Sequence, residues 1–207
     1  MSGTLLLLAI GILSAGTYCL GLALEQRRLS LVAKPLPVLC LLLWVLQGAS
    51  GPYGRFVAAG LAISLVADIL IEVSFLAGLA TFLVAHVAYI VAFTAEDLAW
   101  RPLHALPFLA WGAGMLVFLW PRLGSMKWPV VAYVVVICTM MWRAAARLGG
   151  PTQGFAEWSA LVGAVLFAAS DSLIALDRFH APIRGVRYPI ILLYWLGQWG
   201  IALSARP

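Results

Sequence analysis

The stretch "SLVADILIEVSFLAGLATFLVAHVAYIVAF", residues 64–93, decides the fold. With the residues on either side it makes two apolar runs of membrane-spanning length, 55–73 and 75–95, meeting at Ser74. Its only charged residues are Asp68 and Glu72, one helical turn apart. An acid inside such a run is costly unless it faces protein or a cavity. The two runs therefore call for further helices around Asp68.

Composition supplies them. The 207 residues are 64% hydrophobic and 10% charged, with a mean hydropathy of +1.02. A soluble domain carries about 25% charged residues, so the solvent of this chain is lipid. Apolar windows bounded by charge, Gly or Pro predict eight spans: 4–24, 35–49, 55–73, 75–95, 103–120, 128–146, 157–176 and 187–204. The expectation is an all-α polytopic integral membrane protein, one membrane domain over 1–207. "KPLP" at 34–37 suits a helix start, because Pro is tolerated in the first turn. Turn-rich connectors fall at 100–104, 121–129, 147–154 and 177–185.

The N-terminal apolar run has its positive residues after it, at Arg27 and Arg28, which is read as a retained first helix rather than a signal peptide. Cys19, Cys40 and Cys138 lie inside apolar runs without metal spacing. The net charge of +5 is spread over loops, which fits anionic lipid headgroups and no nucleic-acid partner. Loops after spans one, three, five and seven hold Arg27, Arg28, Lys34, Arg122, Lys127, Arg178, Arg184 and Arg187. The opposite loops hold Arg55, Arg101, Arg143, Arg147 and Arg206. The excess assigns the first face to the cytoplasm and both termini to the outside.

Asp171, in "GAVLFAASDSLIALDRF" (163–179), stands 103 residues after Asp68. Both acids come late in their spans, and four spans lie between equivalent points. Their helices then run in the same direction and place both acids at similar depth near one face. This is a weak four-plus-four duplication, of the kind that builds sites between halves. Two acids at one depth suit a division of roles, one holding a proton and one charged.

Other polar residues share faces with them. Ser64, Asp68 and Glu72 recur at i,i+4, and Ser170 precedes Asp171. Phe75, Gly78, Phe82, His86, Tyr89 and Phe93 follow a helical stripe, with His86 near mid-bilayer. Tyr194 and Gln198 form a polar pair on span eight. Lys34 lies on the face of the acids, placed to snorkel or to meet a phosphate. For His86 and the Tyr194/Gln198 pair, interhelical hydrogen bonding competes with a site role. GxSxG, HExxH, Walker and Rossmann motifs are missing from the sequence. The residue types fit an intramembrane lipid hydrolase and a proton-coupled transporter alike, and the same acids would serve a lipid-binding membrane protein. Neither acid-bearing span contains an internal Pro, which favours a fixed site.

"KPLP" at 34–37, the 64–93 stretch, "GAVLFAASDSLIALDRF" at 163–179 and "YWLGQ" at 194–198 together resemble the YhhN family of lysoplasmalogenases. The family pattern often has Gly where this chain has Ala67, and Glu72 is outside the pattern. The resemblance implies eight spans and hydrolysis of the vinyl ether bond of lysoplasmalogens. It implies a fatty aldehyde and glycerophosphoethanolamine or glycerophosphocholine as products, no metal or organic cofactor, and the plasma membrane as location in a bacterium. On that reading Asp68 and Asp171 are the catalytic pair. Lys34, Ser64, His86, Tyr89, Ser170, Tyr194 and Gln198 bind or orient the substrate.

Overall fold

The computed structural model describes residues 2–95, 98–150 and 154–206. Residues 151–153 of the connector expected at 147–154 lie outside this set. Among the described residues there is no strand. The α-helices are α1 (Ser2–Ala23), α2 (Arg27–Ala33), α3 (Leu36–Leu46), α4 (Gly51–Val73), α5 (Phe75–Ala95), α6 (Leu106–Leu119), α7 (Lys127–Arg147), α8 (Phe155–Ala175) and α9 (Arg187–Ser204). Short 3-10 turns flank α6, and α8 runs on into one π-helical turn, Leu176–His180. Among the described residues seven stretches are long and apolar enough to cross a bilayer, one of them Arg27–Leu46, which joins α2 and α3. The 18 residues of α9 complete an eight-helix bundle. The protein is an all-α, multi-pass membrane protein.

Local sequence explains the breaks that matter. Pro35 and Pro37 each lack the N–H that would continue α2 into α3, so the span kinks at Lys34–Pro35, with Pro37 in the first turn of α3. Helices α4 and α5 are joined by Ser74 alone, in extended conformation. The Ser74 hydroxyl accepts from Ala77 N at 3.4 Å. This tight hairpin needs close backbones: a Cβ on Gly78 would collide with Ile71, and one on Gly60 with the ring of Tyr89. On the other side of the bundle, Gly163, Gly197 and Gly200 let the backbones of α8 and α9 touch.

The neighbour pattern of the first half recurs in the second. Helix α1 packs on α3, α3 on α4, and α4 most extensively on α5; likewise α6 packs on α7, α7 on α8, and α8 most extensively on α9. The halves meet reciprocally, α5 against α7 and α9 against α3. A small residue matches too. Gly11 of α1 faces Cys40 of α3, and Gly112 of α6 faces Cys138 of α7. Helices α1 and α6 are the least buried and present Leu5, Ile12, Leu13, Leu109 and Val117 to lipid. The core rests on α4, α5, α7, α8 and α9.

Candidate functional site

Both acids come near the same end of the bundle. Asp68 sits five residues before the end of α4, and Asp171 four before the end of α8. Each is gripped by hydroxyl and nitrogen groups from other helices. The Tyr194 hydroxyl, from α9, donates to Asp68 Oδ2 at 2.7 Å. Lys34 Nζ, at the α2–α3 kink, is 3.9 Å from Asp68 Oδ1 and 2.8 Å from Glu72 Oε1. On the other side, the Tyr133 hydroxyl of α7 donates to Asp171 Oδ2 at 2.5 Å. His86 Nε2 of α5 lies 3.9 Å from the same oxygen.

A cluster of rings joins the two networks. His86 meets Tyr133 and Phe167 edge-on, with centroids 5.3 and 4.7 Å apart. Phe167, Phe82 and Tyr194 contact one another at 5.2–5.8 Å. Such edge-to-face pairs prefer this spacing and hold one another's orientation. The contacts from one acid to the other thus run through Tyr194, Phe167 and His86. The structure brings the acids to one region of the bundle and gives each its own hydrogen-bond network. The polar stripe of α5 is its buried face, with Phe82, His86, Tyr89 and Phe93 all in the core.

Unpaired polar groups gather here. The Tyr89 hydroxyl donates to Gln198 Oε1 at 2.6 Å, and Ser64 lies beside Tyr89. Ser64 Oγ, Gln198 Nε2 and both nitrogens of His86 are buried without a hydrogen bond of good geometry. For His86 the nearest acceptors are the Phe82 carbonyl one turn back and Asp171 at 3.9 Å. Buried polar atoms are rarely left unpaired, and three such side chains beside two acids form a place where polar atoms of a substrate or water can bind.

A cavity of about 70 Å³ opens beside Asp171. Tyr133 and Asp171 give it its polar wall; Phe75, Leu79, Phe82 and Phe179 line much of the rest. Its lateral edge is the lipid-exposed Trp111, whose indole N–H donates to Ser172 Oγ at 3.2 Å and ties α6 to α8. Asp171 reaches this cavity wall, whereas Asp68 is buried behind Tyr194.

Two other expected residues have partners within the protein. Ser170 donates to Ile190 O at 2.9 Å and pins α8 to the start of α9. Lys34 is engaged by Glu72 and Asp68. Tyr133 is a site residue that the sequence pattern does not single out. Its one available signal is a phenol in the apolar run of α7, 38 residues before Asp171, much as Lys34 stands 34 before Asp68. Among the described residues no group of three His, Cys, Asp or Glu side chains is placed to hold a metal ion.

The geometry meets known proteins in sequence. Residues 29–205 match the YhhN family. The lysoplasmalogenase TMEM86B of Homo sapiens is 35% identical over 194 residues, covering 91% of this chain and 80% of the human protein. The lysoplasmalogenase TMEM86A of Bos taurus is 34% identical over 188 residues, 85% of this chain and 78% of the bovine one. A lysoplasmalogenase of Mycobacterium tuberculosis is 35% identical over 149 residues, 66% of this chain and 54% of that protein. No solved structure matches significantly. A family match over most of the length, with relatives a third identical over most of this chain, settles the membership: the chain belongs to the YhhN family.

Proposed function

We propose that this chain is a membrane-embedded hydrolase that cleaves the vinyl ether bond of lysoplasmalogens. The observation that carries the reading is the placement of Asp171, a carboxyl hydrogen-bonded by Tyr133 and set in the wall of an apolar cavity at the lipid-facing side. An alkenyl chain entering there would bring its double bond to an acid. The names of the relatives, lysoplasmalogenases from a mammal and a mycobacterium, support the same substrate class.

Vinyl ether hydrolysis begins with proton delivery to the β-carbon. Asp171 is the donor in this reading, since it is the acid on the cavity wall. The resulting oxocarbenium ion takes a water at its α-carbon, and the water's proton returns to a carboxylate. The hemiacetal then collapses. Its hydroxyl proton leaves, the carbon–oxygen bond to glycerol breaks, and the glycerol oxygen is protonated. One water is consumed; a fatty aldehyde and a glycerophospho-alcohol are released. Asp68, with Lys34 as its counter-charge at 3.9 Å, supplies negative potential to the cationic intermediate, as the second carboxylate does in glycosidases. His86, buried beside Asp171 with open hydrogen-bonding positions, holds the water, and Ser64 and Gln198, deeper in the bundle with open positions of their own, continue the polar surroundings behind it. In a bacterial cell the membrane would be the plasma membrane.

The test is aldehyde release from a lysoplasmalogen by the protein purified in detergent. Asp171→Asn, which keeps the shape and can still accept from Tyr133, is expected to lower kcat by about 10²–10⁴-fold, the range of general acid catalysis. Asp68→Asn is expected to lower it less. Full turnover in both variants, or no aldehyde from the unmodified protein, refutes the reading. A saturated ether lysolipid should bind without reacting, having no vinyl carbon to protonate.

A further inference from the structure

We infer that Arg178, in the π-helical turn after α8, is the residue that binds the phosphodiester of the lysolipid headgroup. The inference deepens the lysoplasmalogen reading and rests on it for the reaction.

Arg178 sits in the π turn Leu176–His180. The wide bond of that turn, Ala181 N to Leu176 O at 3.2 Å, lets two consecutive side chains reach the same neighbour. Phe179 meets the Phe75 ring edge-on at 6.0 Å. Arg178 lays its guanidinium over the same ring, 4.1 Å from the centroid. Phe75 and Phe179 both line the cavity that holds Asp171. A cation is thus fixed on the rim of the cavity by its stacking surface, with its N–H groups free to turn outward. Single π turns inside helices often accompany functional positions.

The nearby carboxylates are occupied. Asp177 accepts from the Ile183 amide at 2.7 Å, and Glu72 takes Lys34 at 2.8 Å. Among the described residues no carboxylate lies within ion-pair distance of Arg178. Lys34, the cation that the sequence pattern offers to the phosphate, is held by two acids. Of the cations in the connector after α6, Arg122 donates back to the Phe118 carbonyl at 3.3 Å and Lys127 lies over the Trp120 ring at 4.9 Å; neither stacks on a ring that lines the cavity.

The reach fits. Arg178 follows Asp171 by seven residues, about 10.5 Å along a helix at 1.5 Å per residue. In a lysoplasmalogen seven covalent bonds separate the β-carbon of the vinyl ether from phosphorus, about 9 Å when extended at roughly 1.25 Å of advance per bond, and the side chain of Arg178 covers the remainder. With the β-carbon at Asp171, the phosphate falls at the level of Arg178. A planar guanidinium suits the two free oxygens of a phosphodiester.

The test compares the phospholipid substrate with its dephosphorylated form, a 1-alkenylglycerol. Arg178→Ala should raise KM for the lysoplasmalogen about 10- to 100-fold, the loss of a charge-assisted contact, with kcat little changed. It should leave turnover of the alkenylglycerol unaltered, and Arg178→Lys should recover part of the affinity. Unchanged KM, or equal losses on both substrates, overturns the assignment. A second arm keeps it separate from the reaction: binding of a saturated alkyl lysophospholipid against the matching alkylglycerol. The unmodified protein should prefer the lysophospholipid about 10-fold or more, and Arg178→Ala should abolish the preference. If that holds while no aldehyde is ever released, the reaction reading fails and the phosphate assignment stands. A preference retained by Arg178→Ala sinks it. Inorganic phosphate displacing the alkyl lysophospholipid at equal concentration would assign a free-anion site instead, and also overturns it.

Discussion

Gly163→Ala is a sharp test of the packing that holds the site. A Cβ at Gly163 would lie 2.6 Å from Ile201 N, 2.7 Å from Gly197 O and 2.9 Å from the carbonyl carbon of Gly200. Comfortable contact between such atoms is about 3.5–4 Å. All three neighbours are backbone atoms and cannot swing aside as a side chain would. Helices α8 and α9 must therefore part by about 1 Å. Overpacking of this kind costs about 1–3 kcal/mol, and rigid neighbours place it at the upper end, about 3. Replacing Gly by Ala in a helix returns about 1 kcal/mol, leaving a net loss of about 2. For a chain of this size that lowers the melting temperature by about 4–8 °C. The control is Gly16→Ala in α1, where a Cβ meets nothing within 4 Å and propensity alone acts. Thermal unfolding in one detergent, followed by tryptophan fluorescence, ranks the three proteins. The expected order is Gly16→Ala at or above the unmodified protein and Gly163→Ala clearly below. Gly163→Ala melting level with Gly16→Ala would refute the close approach of α8 and α9. The same substitution should reduce turnover, because Phe167 and Tyr194 sit within one turn of the strained contact.

Three further outcomes are expected. Tyr194→Phe keeps the ring contacts and removes the 2.7 Å bond to Asp68; a donor to a buried carboxylate is worth about 1.5–3 kcal/mol, so the melting temperature should fall by several degrees and kcat/KM by about 10- to 100-fold. Lys34→Met strands Asp68 without its cation and should destabilise by about 3–5 kcal/mol, a loss that Asp68→Asn added in the same chain should largely reverse. Glu72→Gln, with a side chain 38% exposed, should change stability by less than about 1 kcal/mol; denaturant titration that gives Lys34→Met and Glu72→Gln equal effects would contradict the ranking.

Part of this arrangement is legible in the sequence because two signals are strong in lipid. Apolar length marks helices, and a lone acid among apolar residues marks an interior face, so Asp68 and Asp171 stand out from residue types alone. The stripe through His86 and Tyr89 is legible for the same reason. What a single sequence hides is pairing across helices. Tyr133 lies among valines in α7, and nothing local says that its hydroxyl meets Asp171. Glu72 reads as an interfacial acid until Lys34 is found 2.8 Å away across the kink. The Arg27–Leu46 span reads as a shorter window starting at 35 because Lys34 and Pro35 mark a boundary in the sequence, whereas the structure carries the span through the kink they make. Gly163 and Gly197 are ordinary small residues in sequence; only their opposition across α8 and α9 gives them meaning. The π turn leaves no mark in composition at all.

The duplicated arrangement explains why the two acids can differ. Each is held by one group from the second span of its own half, Lys34 for Asp68 and Tyr133 for Asp171. Each also faces one group from the last span of the other half, Tyr194 for Asp68 and His86 for Asp171. Neither half could assemble its acid alone, so the site exists only where α5 and α9 reach across. Within that shared frame the contacts have diverged. One acid is given a cation and a phenol; the other is given a phenol and an imidazole, and a wall of the apolar cavity. A mechanism needing one charged carboxylate and one proton donor requires that difference, and the largest contrast is the second-span partner, a cation for Asp68 and a phenol for Asp171. Exchanging the second-span partners by making Lys34→Tyr and Tyr133→Lys together is the corresponding test: if partner identity sets the roles, the double variant should lose turnover more completely than Tyr133→Phe, because it places the cation beside the acid that must donate. Turnover in the double variant equal to that of Tyr133→Phe would show that the partners do not set the roles.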